Sequence, residues 1–143
     1  MWFNDILSTL LKSPLHGLMS ASTVLITVTG KRRGRHFTMP VNFVQLGETL
    51  LIMSRADCTW WRNLIPDAPI QVVLRGRERT GTGRAIQDAA QVAQHLRRFL
   101  EERPAWAVRF GVSRDANGSL NAEALMREAR ERVAIEVKLA GKT

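Results

Sequence analysis

The chain has 143 residues, enough for one domain with a sizeable core, and an apolar fraction of 45% that is ordinary for a globular protein. A net charge of +8 points to an anionic partner: nucleic acid, a lipid surface or an acidic small molecule. The longest apolar runs are too short to span a bilayer, and a single cysteine, Cys58, allows no internal disulfide.

Residues 2–12 place Trp2, Phe3, Ile6, Leu7, Leu10 and Leu11 on one stripe of a short amphipathic helix that Pro14 ends. Such a helix packs on its own domain or makes weak peripheral contact with a membrane. The stretch lacks a basic leader and is interrupted by Asn4, Asp5 and Lys12, so it does not read as a signal peptide. With the lone cysteine, this gives a cytoplasmic expectation.

Residues 23–29, TVLITVT, form a strand by β-branched content. Five basic side chains follow within six residues: Lys31, Arg32, Arg33, Arg35 and, when protonated, His36. Residues 36–46, HFTMPVNFVQL, read as a second strand, in which Pro40 requires an edge or a bulge. A turn at Gly47-Glu48 leads to a third strand, TLLIMS, paired with the second as a hairpin. Asp57 is placed to cap a short helix carrying Trp60, Trp61, Leu64 and Ile65, which Pro66 closes. Two further strands follow, IQVVLRG and RERTGTGRAI. In the latter, Gly81 and Gly83 mark sites where backbone or ligand approaches closely.

Asp88 with Gln91 three residues on predicts a capped helix over 88–103, buried through Val92, Leu96, Phe99 and Leu100 and ended by Pro104. Asn117-Gly118 reads as a turn. A second helix over 121–132 turns Ala122, Leu125, Met126 and Ala129 inward, and 133–139 is the last strand. Short strands with short connections predict a single α+β domain. Its core is a mainly antiparallel six-stranded sheet closed toward a barrel, with peripheral helices.

Catalytic machinery is sparse. His16, His36 and His95 are scattered without metal-ligand spacing, so no metal is expected. The sequence has no nucleophile elbow, no phosphate-binding P-loop and no tyrosine, and nothing near Cys58 identifies a base to activate it. An enzyme built this way would take its reactive centre from a cofactor. The basic loop, with Gly30 and Gly34 around it, combines backbone N–H groups with charge-assisted donors, which suits phosphate or carboxylate. The other reading is a solvated turn.

Thr29-Gly30, Gly34, Pro40-Val41, Ser54-Arg55 and Trp61-Arg62-Asn63-Leu64 occur in an order and spacing similar to those of the deazaflavin (F-420)-dependent nitroreductase and quinone reductase family. The resemblance covers residues 23–86. It implies the split β-barrel of FMN-binding, pyridoxamine-phosphate-oxidase-like proteins and a flavin-type coenzyme: deazaflavin first, FMN as the alternative. Lys31, Arg32, Arg33, Gly34 and Arg35 would meet the coenzyme anion, with Arg55 reaching the same group. Pro40, Val41 and Ser54 would lie along the ring, Asn63 would fix a polar edge, and Trp60 and Trp61 would wall the pocket, core packing of the pair being the other reading. The implied activity is hydride transfer to a quinone-like or nitroaromatic acceptor. Related split barrels often pair, so a homodimer is among the expectations. Lys31 stands where the family prefers Arg, and Arg33 where it prefers Ser. The Gly-Gly and His-Pro elements often found before the aromatic helix are missing. A nucleic-acid-binding module and a ligand carrier without redox activity are the competing readings. Nucleic acid is disfavoured because only Phe37 offers a stacking ring beside the loop.

Overall fold

A computed structural model describes residues 22–141. The expected N-terminal helix at 2–12, and His16, lie outside them. Seven strands are found among the described residues: β1 (Thr23–Thr29), β2 (His36–Asn42), β3 (Val44–Leu46), β4 (Thr49–Arg55), β5 (Ala68–Leu74), β6 (Arg77–Ile86) and β7 (Arg132–Leu139). Two α-helices, α1 (Ala89–Glu102) and α2 (Ala122–Ala129), and two 3-10 turns, Trp60–Leu64 and Pro104–Ala107, complete the set. The strands form one antiparallel sheet in the order β2-β1-β5-β6-β7-β4-β3.

The count is seven rather than the expected six because residues 36–46 are two strands, not one. β2 pairs with β1 along its length and β3 pairs with β4. The break falls just after Phe43, whose N–H makes the terminal bond of the β1–β2 register, donating to the Ser22 carbonyl at 2.9 Å. The two edges of the sheet are therefore consecutive segments of one stretch of chain, and the sheet curls into a half-barrel. Pro40 sits on edge strand β2 opposite Leu25, where its missing donor costs no ladder bond.

Strand alternation divides β4 between two cores. Leu50 and Ile52 point into the barrel, with Ile26, Val72, Ile135 and Phe43. Leu51 points outward under the helices, with Leu96, Phe99, Leu100 and Leu125. The apolar run of β4 is thus explained by burial on both faces. α1 begins as expected: the Asp88 carboxylate accepts from the Gln91 N–H at 3.1 Å, and Val92, Leu96, Phe99 and Leu100 are all buried. Burying four such side chains contributes about 1.5–3 kcal/mol each. Pro104 stops α1 and opens the second 3-10 turn. α2 departs from expectation by a shift of phase. Asn121 caps it, accepting from the Ala124 N–H at 2.9 Å, and this sets Ala124, Leu125 and Ala129 inward while Ala122 is exposed. Asp57 does not cap the Trp60–Leu64 turn; Thr59 holds that position without a side-chain bond, because Asp57 is engaged by Arg55.

The close approach anticipated at Gly81 and Gly83 is by protein. A Cβ on Gly81 would lie 2.5 Å from the Lys138 carbonyl oxygen of β7, and one on Gly83 would lie 3.3 Å from Leu64. Gly81→Ala should therefore destabilise the fold by about 1–3 kcal/mol, since a backbone carbonyl in mid-sheet has little room to yield. A chemical-denaturation midpoint equal to that of the parent would show the β6–β7 pair to be looser than this spacing.

Beside this pair, Glu136 on β7 joins His95 and Arg84. Its carboxylate accepts from His95 Nε2 at 2.7 Å and from Arg84 Nη2 at 3.2 Å, while His95 Nδ1 faces the Gln91 carbonyl at 2.8 Å. Burial pushes the Glu136 carboxyl up, but the hydrogen bonds from His95 and Arg84 outweigh it and hold it below the ordinary carboxylate range. A carboxyl depressed in the folded state stabilises at pH above its unfolded value, and the contribution is lost as pH falls through the folded value. The stability gap between the parent and Glu136→Gln should hold at neutral pH and shrink on acidification below the carboxylate range. Parallel denaturation series at several pH values check this; a gap that widens in acid would reverse the sign.

Candidate functional site

The basic loop between β1 and β2 is held by its own backbone. The Gly30 N–H donates to the Arg35 carbonyl at 2.7 Å and the Gly34 N–H to the Gly30 carbonyl at 3.0 Å. Gly34 has φ of +66°, the left-handed region that closes this turn without steric cost. Arg32, Arg33 and Arg35 are exposed. Lys31 has a different role from the one expected. Its N–H donates to Asn63 Oδ1 at 3.1 Å and its ammonium to the Ile65 carbonyl, so it ties the loop to the Trp60–Leu64 turn. Asn63 is the other half of that tie, and its Nδ2 donates to the Trp60 carbonyl at 3.0 Å.

Behind this junction lies a cleft of 340 Å³, a size suited to a small-molecule ring system. Val41 and Asn42 of β2 and the Trp60 indole form one wall. Ile52, Met53 and Ser54 of β4 form the floor. Phe99, Trp106, Arg109, Phe110 and Arg132 form the opposite, helical wall. Ser54 is 7% exposed, and its hydroxyl donates to the Arg55 carbonyl at 3.2 Å.

Of the residues expected from sequence, the cleft brings together Val41, Ser54 and Trp60. The loop residues Lys31, Arg32, Arg33, Gly34 and Arg35 do not line it; they are joined to its Trp60 wall through Asn63. Pro40 is exposed on the strand face opposite to Val41. Of the tryptophan pair, Trp60 lines the cleft, while Trp61 is core, 5% exposed and packed inside the barrel. Arg55 opens onto a neighbouring depression lined by Ala56, Asp57, Glu128, Glu131 and Arg132. Its guanidinium grips Asp57 with two bonds of 3.0 and 2.8 Å. The hydrogen bond from Arg55, reinforced by its charge, holds the Asp57 carboxyl below its usual range.

The helical wall was missed from sequence. Trp106 and Phe110, four residues apart, are the spacing that would have shown it. Both rings sit against Phe99, at centroid distances of 5.4 and 5.9 Å. Arg132 reaches the cleft only because β7 pairs with β4, which sets it opposite Arg55.

The residues present fit a flat ring carrying an anion. A cleft with aromatic side chains and a buried hydroxyl in its lining lies at the far end of β2 from three exposed arginines on a backbone-bonded turn.

No curated protein matches the sequence. Solved structures share the fold at low identity. A protein of unknown function from Agrobacterium tumefaciens str. C58 is 16% identical with a TM-score of 0.56; 87% of this chain is covered, and the chain spans 51% of that protein's length. The FAD and heme binding protein from Mycobacterium smegmatis is 17% identical with a TM-score of 0.53, covering 90% of this chain and 67% of that one. A Clostridium acetobutylicum protein of the pyridoxinephosphate oxidase family, related to general stress protein 26, is 10% identical with a TM-score of 0.55, covering 93% and 84%. The profile of the F420H(2)-dependent quinone reductase family matches residues 13–115. The match takes in the basic loop, the cleft floor and most of the helical wall, and the chain belongs to that family of oxidoreductases, with deazaflavin as its coenzyme and flavin as the alternative.

Proposed function

We propose that the protein passes hydride from reduced deazaflavin coenzyme to a quinone-like or nitroaromatic acceptor. The observation that carries this is the join between the two parts of the site: Lys31 and Asn63 fix the arginine loop against the turn whose Trp60 walls the cleft. Arg32, Arg33 and Arg35 would hold the coenzyme anion, and Val41, Ser54 and Trp60 the ring. From Arg35 to Val41 the strand rises roughly 20 Å. An anion at the loop and a ring on the cleft floor then belong to an extended ligand, which favours the long, oligoglutamate-bearing deazaflavin over FMN.

When bound and reduced, the coenzyme supplies two electrons and one proton as hydride, and a quinone takes one further proton from solvent to become hydroquinone. The chain's own part is binding, orientation and local charge. Ser54, whose hydroxyl lines the cleft and donates to the Arg55 carbonyl, would supply a hydrogen-bonding group to a polar edge of the ring. Trp60 and Trp106, which both line the cleft, would help exclude water from a bound ring. No side chain is assigned to hydride transfer itself.

The test is the absorption and fluorescence of freshly purified protein, then titration with coenzyme F-420 and with FMN across a salt series, and finally turnover of the reduced coenzyme with menadione and a nitroaromatic. Affinity for F-420 should fall shallowly with salt, because ring burial does not respond to screening. Nucleic-acid binding would fall by about 0.9 log units per neutralised phosphate for each tenfold rise in salt. Nucleic-acid binding that persists at physiological salt, with no affinity for either coenzyme, would overturn the reading.

A further inference from the structure

Two arginines outside the basic loop line the cleft, Arg109 just after the second 3-10 turn and Arg132 at the start of β7. Arg109 is exposed, and its guanidinium lies 5.1 Å from the centre of the Trp106 ring; no carboxylate among the described residues pairs with it. Arg132 lies 4.6 Å from the Phe110 ring, and its Nε donates to Glu128 at 2.8 Å. The bond to Glu128 uses only Nε, which leaves the terminal Nη groups of Arg132 as donors. Trp106 and Phe110 rest in turn on Phe99, which is 1% exposed. Each guanidinium lies within cation–π range of a ring on this packed aromatic cluster. Such a contact does not use up the N–H donors, which can still meet a carboxylate or phosphate. Arg132 stands beside Glu128, Asp57 and Glu131 in the neighbouring depression, so the uncompensated charge on this side of the cleft is that of Arg109.

We propose that Arg109 and Arg132 form a second anion-recognition pole, selecting electron acceptors that carry a carboxylate or an ionised hydroxyl on the reducible ring. The proposal rests on the cleft being the redox site and names the class of acceptor that site prefers. The loop arginines serve the coenzyme, and the wall arginines serve the substrate. An anionic group of the coenzyme itself is the other source of the same chemistry, and the experiment separates the two.

The probes are 4-nitrobenzoate and 4-nitrobenzamide, which share ring and nitro group and differ in charge. Binding is read at constant ionic strength by tryptophan fluorescence and calorimetry, without and with F-420, and turnover is read with the reduced coenzyme. The parent should bind the carboxylate at least about tenfold more tightly than the amide. Arg109→Gln, at an exposed position, should erase most of that ratio. Arg132→Lys, which keeps the charge and loses the planar fork, should reduce it partly. Equal binding of the two probes by the parent, or an undiminished ratio in Arg109→Gln, overturns the proposal. So does a loss that appears in F-420 affinity while the probe ratio stays unchanged, since the arginines would then hold the coenzyme. A parent that keeps the ratio but neither binds F-420 nor reduces either probe would leave the anion pole standing and refute the redox reading alone.

Discussion

Replacing Arg32, Arg33 and Arg35 together by alanine is expected to weaken F-420 binding by about two orders of magnitude or more while leaving the thermal midpoint nearly unchanged. The three side chains are exposed, and no salt bridge among the described residues involves them. The shape of the loop is set elsewhere, by the Gly30–Arg35 and Gly34–Gly30 backbone bonds and by the Lys31 ties to Asn63 and Ile65. Alanine removes the charges without removing those bonds. Each charge-assisted contact is worth about 1.5–3 kcal/mol, and redundancy among neighbours trims the total. A net loss of roughly 3 kcal/mol already corresponds to more than a hundredfold. Fluorescence titration gives the affinity and thermal denaturation the control. A variant that bound the coenzyme as tightly as the parent would reduce the loop to a solvated turn.

The largest effect on stability is expected at Phe99. Phe99→Ala removes a fully buried ring, at a cost of about 3–5 kcal/mol, and should lower the midpoint by roughly 10 °C. Because Trp106 and Phe110 rest on that ring, the variant should also lose acceptor affinity at temperatures where it remains folded. Leu100→Ala is the control: Leu100 is equally buried on the same helix but does not line the cleft. It should lose stability and keep the affinity. If both variants lost affinity equally, the helical wall would matter only through overall stability.

Local features of the sequence proved reliable wherever one short-range preference decided the outcome. The β-branched run of β1, the Asp88 cap and the edge position of Pro40 all depend on neighbours within a few residues. The division of residues 36–46 left only a small trace, a shift of phase in which apolar residues at Phe37, Met39, Val41 and Phe43 give way to Val44 and Leu46. The choice of partners, β1 on one side and β4 on the other, is not encoded in that shift. Asp57 illustrates the same limit at shorter range. It is a sound helix cap by type, yet Arg55 two residues away offers a bidentate charged partner and wins. The site divided in the same way. Val41 and Ser54 followed from the family resemblance, but the tryptophan pair splits: Trp60 lines the cleft and Trp61 enters the barrel core, a division set by the 3-10 turn that carries them. Arg132 entered through strand pairing with a distant segment, and only the fold could show that.

The placement of β7 bears on how the chain is made. It is the last of the seven strands in chain order, yet it lies between β6 and β4, with a ladder to each. While the polypeptide emerges from the ribosome, β3–β4 can close as a hairpin, and β1, β2, β5 and β6 can pair among themselves. Until β7 emerges, these two sub-sheets have no strand between them. Each then presents an open edge, and β4, apolar on both faces, is the more exposed to pairing with a second nascent chain. Insertion of β7 seals both edges at once and brings Arg132 to the cleft in the same step, so completion of the sheet and completion of the binding site are a single event.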